Sequence, residues 1–292
     1  MKYRFIFEHP EYPKAKWATQ MNVSRSGYYH WKRTRAQREK RACEYAERVR
    51  RVFMAGEWTY GASRICGRLR TEGFSCSFYK VRDFMDMQGL RSIHRKKCRR
   101  SLTDSRKARG DGYTNLTRNL RIDTPFQVLS SDISYIRTGE GFDYLCQIKD
   151  VKSGIVLAES MSERMKAELV VKTIRKALRR WDIPKGCIFH SDRGSQYTSE
   201  SVMKLLAKED FRQSFSRVGM PGDNSWSESF FANLKKETVH WTHFRTRDEA
   251  RQKIFAYIEG FYNTRRVQKR LGYLSPIQWL MRWNRGRQES VA

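Results

Sequence analysis

Three acidic side chains, far apart in the sequence, have the type and placement that metal-assisted chemistry on an anion requires. Asp132 lies in the middle of the predicted strand FQVLSSDISYIR, and Asp192 lies just past an apolar run in the segment FHSDRGSQYTS. Glu228 lies in the first turns of a predicted helix in DNSWSESFFANLKKE. We expect the strands of Asp132 and Asp192 to be neighbours at the centre of one sheet, with the helix carrying Glu228 over both.

Carboxylates gathered in this way have a chemical use in a basic chain. Two or three of them within about 4 to 6 Å raise one another's pKa unless a cation intervenes. Mg²⁺ typically takes one or two protein carboxylates and completes its shell with substrate phosphate oxygens. Two ions roughly 4 Å apart can activate an attacking hydroxyl and stabilise the leaving oxygen of a phosphoryl displacement. The acids therefore predict two Mg²⁺ or Mn²⁺ ions and a phosphodiester substrate.

Each acid taken alone also has an ordinary structural explanation. The helix dipole favours Glu228 in a first turn, and Asp192 precedes an Arg-Gly turn, where aspartate is common. Asp132 is harder to explain in this way, because an aspartate in the middle of a strand opposes β propensity. The three acids together favour the metal site over three separate structural roles.

The composition points to a polyanionic partner. The 292 residues include 59 Lys and Arg against 31 Asp and Glu, a net charge of +28, and each phosphate neutralised by such cations releases condensed counterions. No apolar run approaches the roughly 18 residues of a spanning helix, and the opening MKYRFIFEHPEYPK does not build a signal peptide. We expect a cytoplasmic protein with no membrane contact. The six cysteines form no C-x-x-C pair, which favours reduced thiols over a zinc site.

The elements that must position the acids follow from hydrophobic patterning after residue 120. Their order, β-β-β-α-β-α-β-α, predicts a mixed α/β sheet flanked by helices. The predicted strands are 126–137, 142–154, 155–162, 186–190 and 211–216, and the predicted helices are 166–181, 199–210, 225–241 and 248–266.

The N-terminal part is predicted to be helical. Residues 11–34 are interpreted as two short helices, the second capped by Ser24 and ending near Arg33, which is a candidate helix-turn-helix and equally a plain helical hairpin. A charged helix over 36–54 leads into a second helical module over 40–94. The segment 91–109 carries nine Lys or Arg and a single acid. It is either a solvated spacer or, as the charge of the whole chain favours, a segment that tracks nucleic acid.

The quoted motifs resemble the Asp, Asp, Glu signature of the retroviral-integrase superfamily, with 35 residues between Asp192 and Glu228. More closely, the chain is similar to the second-frame product of IS-three-type bacterial insertion-sequence transposases. That resemblance also covers NVSRSGYYHWKR, YGASRICGRLRTEG to GLRSIHRKK, and FYNTRRVQKRLGYLSPIQW. Leu129, where Trp is usual, Gln268, where His is usual, and the loop GMPGDNS depart from the family pattern without removing a predicted ligand.

The resemblance implies a ribonuclease-H-like fold and a nucleoid-associated DNA strand transferase that frees a 3′-OH at element ends and joins it to another phosphodiester. It also implies homo-oligomers on terminal-repeat and target DNA, and a partner or fusion from an upstream frame. Lys235, seven residues beyond Glu228 and on the same helix face, would contact the DNA strand at the metals. Further predicted DNA contacts are Arg25, Lys96, Lys97, Arg265, Arg266, Lys269 and Arg270, and predicted supporting residues are His190, Gly194 and Gln196.

The predicted organisation has five parts. A helix-turn-helix-like segment over 1–38 is followed by a helical DNA-binding pre-domain over 39–97, a basic linker over 98–119, a ribonuclease-H-like catalytic domain over 120–245 and a helical region over 246–292. Two other functions stay open from the sequence: a non-catalytic DNA-binding regulator and a simple metal-dependent nuclease. His190 is equally well interpreted as a core histidine with its hydrogen bonds satisfied.

Overall fold

Three helices form the N-terminal part of the chain. The computed structural model describes residues 1–94, 113–217 and 220–289. The first helices are α1 (Lys2–Glu8), α2 (Lys14–Gln20) and α3 (Arg25–Ala55). Ser24 caps α3 as predicted, since its hydroxyl accepts a hydrogen bond from the backbone N–H of Gly27. The prediction that this helix ends near Arg33 is wrong. Between Tyr28 and Ala55 there is no Gly or Pro to interrupt it, so the predicted boundary between 38 and 39 lies inside α3.

Two more helices pack against the C-terminal half of α3. They are α4 (Ala62–Thr71) and α5 (Phe78–Met87), the latter capped by the Ser77 hydroxyl. The apolar cluster formed by α3, α4 and α5 is continuous with the core of the sheet and the C-terminal helices, since it also contains Ile136, Phe230 and Phe261. The predicted pre-domain and catalytic domain therefore share one hydrophobic core. Most of the predicted linker, with Lys96 and Lys97, lies outside the described residues.

The sheet contains five strands in the order β3-β2-β1-β4-β5. They are β1 (Val128–Thr138), β2 (Gly141–Asp150), β3 (Val156–Ser162), β4 (Ile188–Ser191) and β5 (Arg212–Phe215). The first three form an antiparallel meander, and β4 and β5 add in parallel. Gly154, with φ of 77°, allows the tight β2 to β3 connection. The predicted ribonuclease-H-like mixed sheet is confirmed, with β1 and β4 adjacent.

Helices cover both faces of the sheet. On one face, α6 (Ala167–Arg180) and α7 (Glu200–Lys208) pack on Leu129, Cys146 and Phe189. On the other, α8 (Ser225–Glu237) and α9 (Arg247–Phe255), which continues as a π-helix over Ala256–Tyr262, pack on Ile136 and Leu145. Residues 145 and 146 thus face opposite sides, as strand alternation requires. The chain closes with α10 (Pro276–Glu289). No helix in the described parts of the chain is long and apolar enough to span a membrane.

Candidate active site

Asp132 and Asp192 lie at neighbouring positions on adjacent parallel strands. The β1 to β4 register pairs Val128 with Ile188 and Ser130 with His190. Two residues further along both strands, the same register brings Asp132 opposite Asp192, where β4 has just ended and β1 continues. The carboxyl end of β4 therefore opens a gap beside β1, and the two acids lie at its entrance. In an open sheet with parallel strands, ligands bind at this kind of edge.

Backbone N–H groups orient both carboxyls. The Ile133 N–H donates to Oδ1 of Asp132 at 2.8 Å, and the Gly194 N–H donates to Oδ1 of Asp192 at 3.0 Å. A Cβ at Gly194 would come within 2.9 Å of Gln196 Oε1 and 3.1 Å of Asp192 Oδ1, so a side chain there would displace the Gln196 amide or the Asp192 carboxyl. The Gln196 amide donates to the Met165 carbonyl at 3.1 Å and ties this loop to the start of α6.

The surroundings of Asp132 and Asp192 raise the pKa of both carboxyls. Burial, followed by the charges of Asp192 and Glu228, raises the pKa of Asp132 to about 7, while the hydrogen bond from Ile133 and the charge of Lys235 act in the other direction. Burial likewise raises the pKa of Asp192, opposed by the hydrogen bond from Gly194. Burial lowers the pKa of Lys235 itself. A bound cation would offset the burial and the repulsion that together hold Asp132 partly protonated at neutral pH.

A buried amide links the strand of Asp132 to the helix of Glu228. Gln147 is the β2 partner of Asp132, and its Nε2 donates to the Ser227 hydroxyl at 2.9 Å. Both side chains in this hydrogen bond are fully buried. Ser227 immediately precedes Glu228, the fourth residue of α8. The contact therefore fixes the helix turn that carries the third predicted acid relative to the first.

Two further hydrogen bonds hold the start of α8 on the sheet. The Asn224 amide donates to the Ser131 carbonyl at 3.2 Å, and the Lys149 ammonium donates to the Trp226 carbonyl at 3.0 Å. Sequence reasoning missed the roles of Gln147 and Asn224. A glutamine in the middle of an apolar strand is the same kind of signal as Asp132, and it could have identified Gln147.

The residues at this site fit a hydrated divalent cation. Ser130 Oγ, Gln147 Oε1 and Asn224 Oδ1 are buried oxygens without a hydrogen-bond partner in the described structure. Ser130 shares a face of β1 with Asp132, Gln147 lies opposite Asp132, and Asn224 contacts Ser131. Unpartnered buried acceptors cost free energy, and water molecules on Mg²⁺ would satisfy them.

Glu228 does not complete a closed ligand set. Within residues 1–94, 113–217 and 220–289, no group of three or more His, Cys, Asp or Glu is arranged to hold a metal ion. Glu228 lies on the exposed face of α8 and affects Asp132 through its charge. The structure thus brings two of the three predicted ligands together and places the third within electrostatic reach of Asp132.

Lys235 and His190 have different surroundings. The Lys235 ammonium lies 4.8 Å from the ring centroid of Tyr135, on the open side of β1. His190 is fully buried, and its ring nitrogens contact the hydroxyls of Ser214 at 2.9 Å and Ser216 at 3.1 Å. Burial lowers the pKa of His190, so the ring is held as a neutral part of the β4 to β5 packing.

One predicted DNA contact is wrong. Arg266 is 2% exposed and forms a bidentate pair with Glu237, with N to O distances of 2.7 and 2.6 Å. Arg270 donates to the carbonyls of Val151 and Lys152, so its guanidinium is engaged by the β2 to β3 turn. The remaining described cations of the prediction, Arg25, Arg265 and Lys269, are exposed, and Arg265 pairs with Glu57.

Comparison with protein families matches three segments of the chain. Residues 123–221 and 228–281 each match a family described as an integrase core domain, and residues 40–97 match an HTH-like domain. The first match contains Asp132 and Asp192, and the second begins at Glu228.

Full-length relatives are insertion-sequence proteins. The chain is 35% identical to transposase InsF for insertion sequence IS3A of Escherichia coli (strain K12), over 96% of this chain and 98% of that protein. It is 36% identical to the transposase for insertion sequence element IS904 of Lactococcus lactis subsp. lactis (strain IL1403), over 79% of this chain and 91% of that protein.

Solved structures with a related arrangement are more distant. The simian T-cell lymphotropic virus intasome in complex with PP2A regulatory subunit B56 gamma matches 73% of this chain and 69% of its own chain, with 14% identity and a TM-score of 0.46. The catalytic core domain of BIV integrase matches 56% of this chain and 99% of its own, with 15% identity and a TM-score of 0.43.

Proposed function

Because this chain belongs to the family of IS3-type insertion-sequence transposases, we propose that it nicks DNA at the ends of its element and joins the freed 3′-OH to a second phosphodiester. It is a DNA transposase, an enzyme that acts on DNA. The observation that carries the finer proposal is the adjacency of Asp132 and Asp192 at the carboxyl end of β4. Two neighbouring acids there, in a chain with a net charge of +28, are suited to divalent cations and a polyanion together.

Each residue has a separate task in this proposal. Two Mg²⁺ or Mn²⁺ ions would supply activation of the attacking hydroxyl and stabilisation of the leaving oxygen. Asp132 and Asp192 would hold the ions, and Glu228 would complete the ligand set from α8. Gly194 and Gln196 keep the Asp192 loop in shape through their contacts. Lys235, beside Asp132, attracts the phosphates of the DNA strand and orients it toward the acids.

The partners follow from the same chemistry. The chain would bind the terminal repeats of its element and a target duplex, and work as a homo-oligomer because two element ends must be joined in one reaction. Arg25 and Lys269 are proposed to contact the DNA backbone from exposed positions. The protein would remain with the nucleoid, and an upstream-frame product is proposed to act with it as a partner or a fusion.

Incubation with labelled DNA distinguishes the three functions that the sequence left open. The substrate is a duplex from the end of the insertion element that encodes this chain, with Mg²⁺ and a target plasmid. We expect joined products from the native chain and an intact, shifted duplex from Asp192→Asn. Asp182→Asn, which changes an exposed aspartate outside the site, is the matched control and retains joining. Cleavage without joining would indicate a nuclease, and binding alone by the native chain would indicate a regulator. Either result contradicts the proposal.

A further inference from the structure

Two exposed aromatic rings lie on the hairpin of β1 and β2, next to Lys235. Tyr135 follows Asp132 by three residues on β1, so the two side chains project from opposite faces of the strand, and Phe142 lies near the start of β2. Tyr135 is 53% exposed and Phe142 is 47% exposed. Their ring centroids are 5.3 Å apart with planes at 74°. Large exposed apolar side chains that contact each other are a common sign of a binding surface, and this pair belongs to no buried cluster in the described structure.

The strand pairing places cations next to both rings. Tyr135 lies opposite Tyr144, and Phe142 lies opposite Arg137, so these four side chains share one face of the hairpin. Arg137 is exposed. The Lys235 ammonium reaches this surface from α8, 4.8 Å from the centroid of Tyr135. We call Tyr135, Phe142, Arg137 and Lys235 the hairpin platform.

The acids around the platform are held by other groups. Glu140, in the hairpin turn, accepts a hydrogen bond from the backbone N–H of Arg247 at 2.8 Å. Asp143 is fully buried on the other face of β2 and pairs with Arg251, at 2.8 and 3.2 Å. The platform therefore combines apolar ring surface with two cations, Arg137 and Lys235. This combination suits a ligand that has both a flat π-face and a negative charge, which is the chemistry of a nucleotide in a single strand.

We propose that the hairpin platform binds a nucleobase at the end of the DNA strand, stacked on the ring of Tyr135 and bordered by Phe142, with its phosphate held by Lys235 and Arg137. The proposal rests on the proposed function, since a strand end must reach Asp132 for that reaction. A base that leaves the duplex loses its stacking energy, and the rings replace part of it. Lys235 is close to Tyr135 and acts on Asp132, so it would connect the platform to the metal-binding acids on the other face of β1. The platform would hold the terminal base away from the duplex while the phosphodiester passes Lys235 toward the acids.

Binding measurements test the platform without any catalysis. The probes are an element-end duplex with two unpaired nucleotides and a duplex of the same sequence closed by hairpins at both ends. Aromatic stacking on one base is worth about 1 to 3 kcal/mol, or roughly tenfold in affinity. We expect Tyr135→Ala to weaken binding of the open end about tenfold and to leave binding of the closed duplex nearly unchanged. Tyr135→Phe retains the ring and the affinity, and Phe255→Ala, which removes an exposed ring on α9, has no effect on either probe.

Photo-crosslinking provides a second measurement on the unmutated chain. An iodinated uracil is placed in turn at each terminal nucleotide of the open duplex, and the crosslinked peptide is identified by mass spectrometry. We expect one position to crosslink to Tyr135 or Phe142. Crosslinks confined to other parts of the chain, or an equal loss of both probes in Tyr135→Ala, would overturn the platform.

The two proposals fail separately. If the native chain binds and crosslinks as expected yet never joins DNA, the strand-transfer proposal fails and the platform remains. If the native chain joins DNA while Tyr135→Ala binds open ends with native affinity, the platform fails and the strand-transfer proposal remains.

Discussion

Gln147 lies directly opposite Asp132 in the β1 to β2 pairing, and its amide holds the serine that precedes Glu228. One side chain therefore connects two of the three predicted ligands, although Asp132 and Glu228 are 96 positions apart in the sequence. The side-chain oxygen of Gln147, Oε1, has no hydrogen-bond partner in the described structure, so the side-chain amide is held through its NH2 group alone. The geometry of α8 over β1 depends on this buried contact.

Replacing Gln147 with methionine tests that dependence. The change keeps the side-chain volume and removes the hydrogen bond to Ser227, which costs about 1 kcal/mol of folding stability. We expect strand joining to fall by more than tenfold, because misplacing a catalytic group by about 1 Å can cost as much as a hundredfold. Gln88→Met is the control, since Gln88 also donates from a half-buried amide, to the Ala46 carbonyl, but in the helical module. Equal losses of joining in both variants would show a general stability effect.

The Gly194 turn predicts a loss of activity with little loss of stability. A Cβ at this position meets Gln196 Oε1 at 2.9 Å and Asp192 Oδ1 at 3.1 Å, so Gly194→Ala must move the Asp192 carboxyl or the Gln196 amide. We expect joining to decrease about tenfold or more and the thermal unfolding midpoint to change by only a few degrees. The control is Gly222→Ala, where an added Cβ meets no atom within 4 Å. Native joining rates in Gly194→Ala would show that the turn does not constrain the acid.

Arg266 and Lys269 are close in sequence, but we expect substitution of Arg266 to lower folding stability and substitution of Lys269 to weaken DNA binding. Arg266→Met leaves the buried Glu237 carboxylate without its main partner, at a cost of about 3 to 5 kcal/mol. Lys269→Gln changes an exposed cation, so folding stability should stay within about 0.5 kcal/mol. If Lys269 contacts a phosphate, the slope of log affinity against log salt decreases by about one. Urea unfolding and salt-dependent DNA binding of both variants measure this difference, and an unchanged slope in Lys269→Gln would remove it from the DNA contacts.

Glu237 gives the folded state a distinct acid sensitivity. Burial alone would raise its pKa, but hydrogen bonds from His94, Arg266 and Tyr257 and the charge of Arg266 lower the pKa to about 2, from 4.5. Because the folded pKa is depressed, the stabilisation is fully present above pH 4.5 and is lost as the pH falls from about 4.5 toward 2. Its size is about 3 kcal/mol.

Urea unfolding at several pH values between 7 and 3 measures this contribution. We expect the native chain to lose stability more steeply below pH 4.5 than Glu237→Gln, which has no carboxyl to titrate. Parallel curves for the two proteins would contradict the depressed pKa.

The sheet and its acids could be predicted because local patterns determine them. Alternating and continuous apolar runs predicted all five strands. The expectation that the first and fourth strands are neighbours at the centre of the sheet placed Asp132 beside Asp192. The length of α3 was missed because adjacent helical patterns were divided at a charged stretch, although no helix-breaking residue separates them.

Side-chain partners from distant segments could not be predicted. Arg266 was interpreted as a DNA-contacting surface cation because its neighbours are basic, but it follows the π-helix and pairs with the buried Glu237 of α8. For the same reason the contact of Tyr60 with the backbone of Arg265 and Val267, which joins the helical module to the C-terminal region, has no signal in either segment. The sequence patterns show which residues are polar, whereas burial depends on the pairing of segments.

A crystal structure of the chain soaked in Mn²⁺, with the metal located from its anomalous scattering, tests the proposed metal site most directly. We expect a peak between the Asp132 and Asp192 carboxyls, at about 2.0 to 2.3 Å from their oxygens, with Glu228 turned toward it. A second peak within about 4 Å would support the two-ion mechanism. Carboxyls turned away from each other, with no metal between β1 and the end of β4, would contradict the proposed catalytic site.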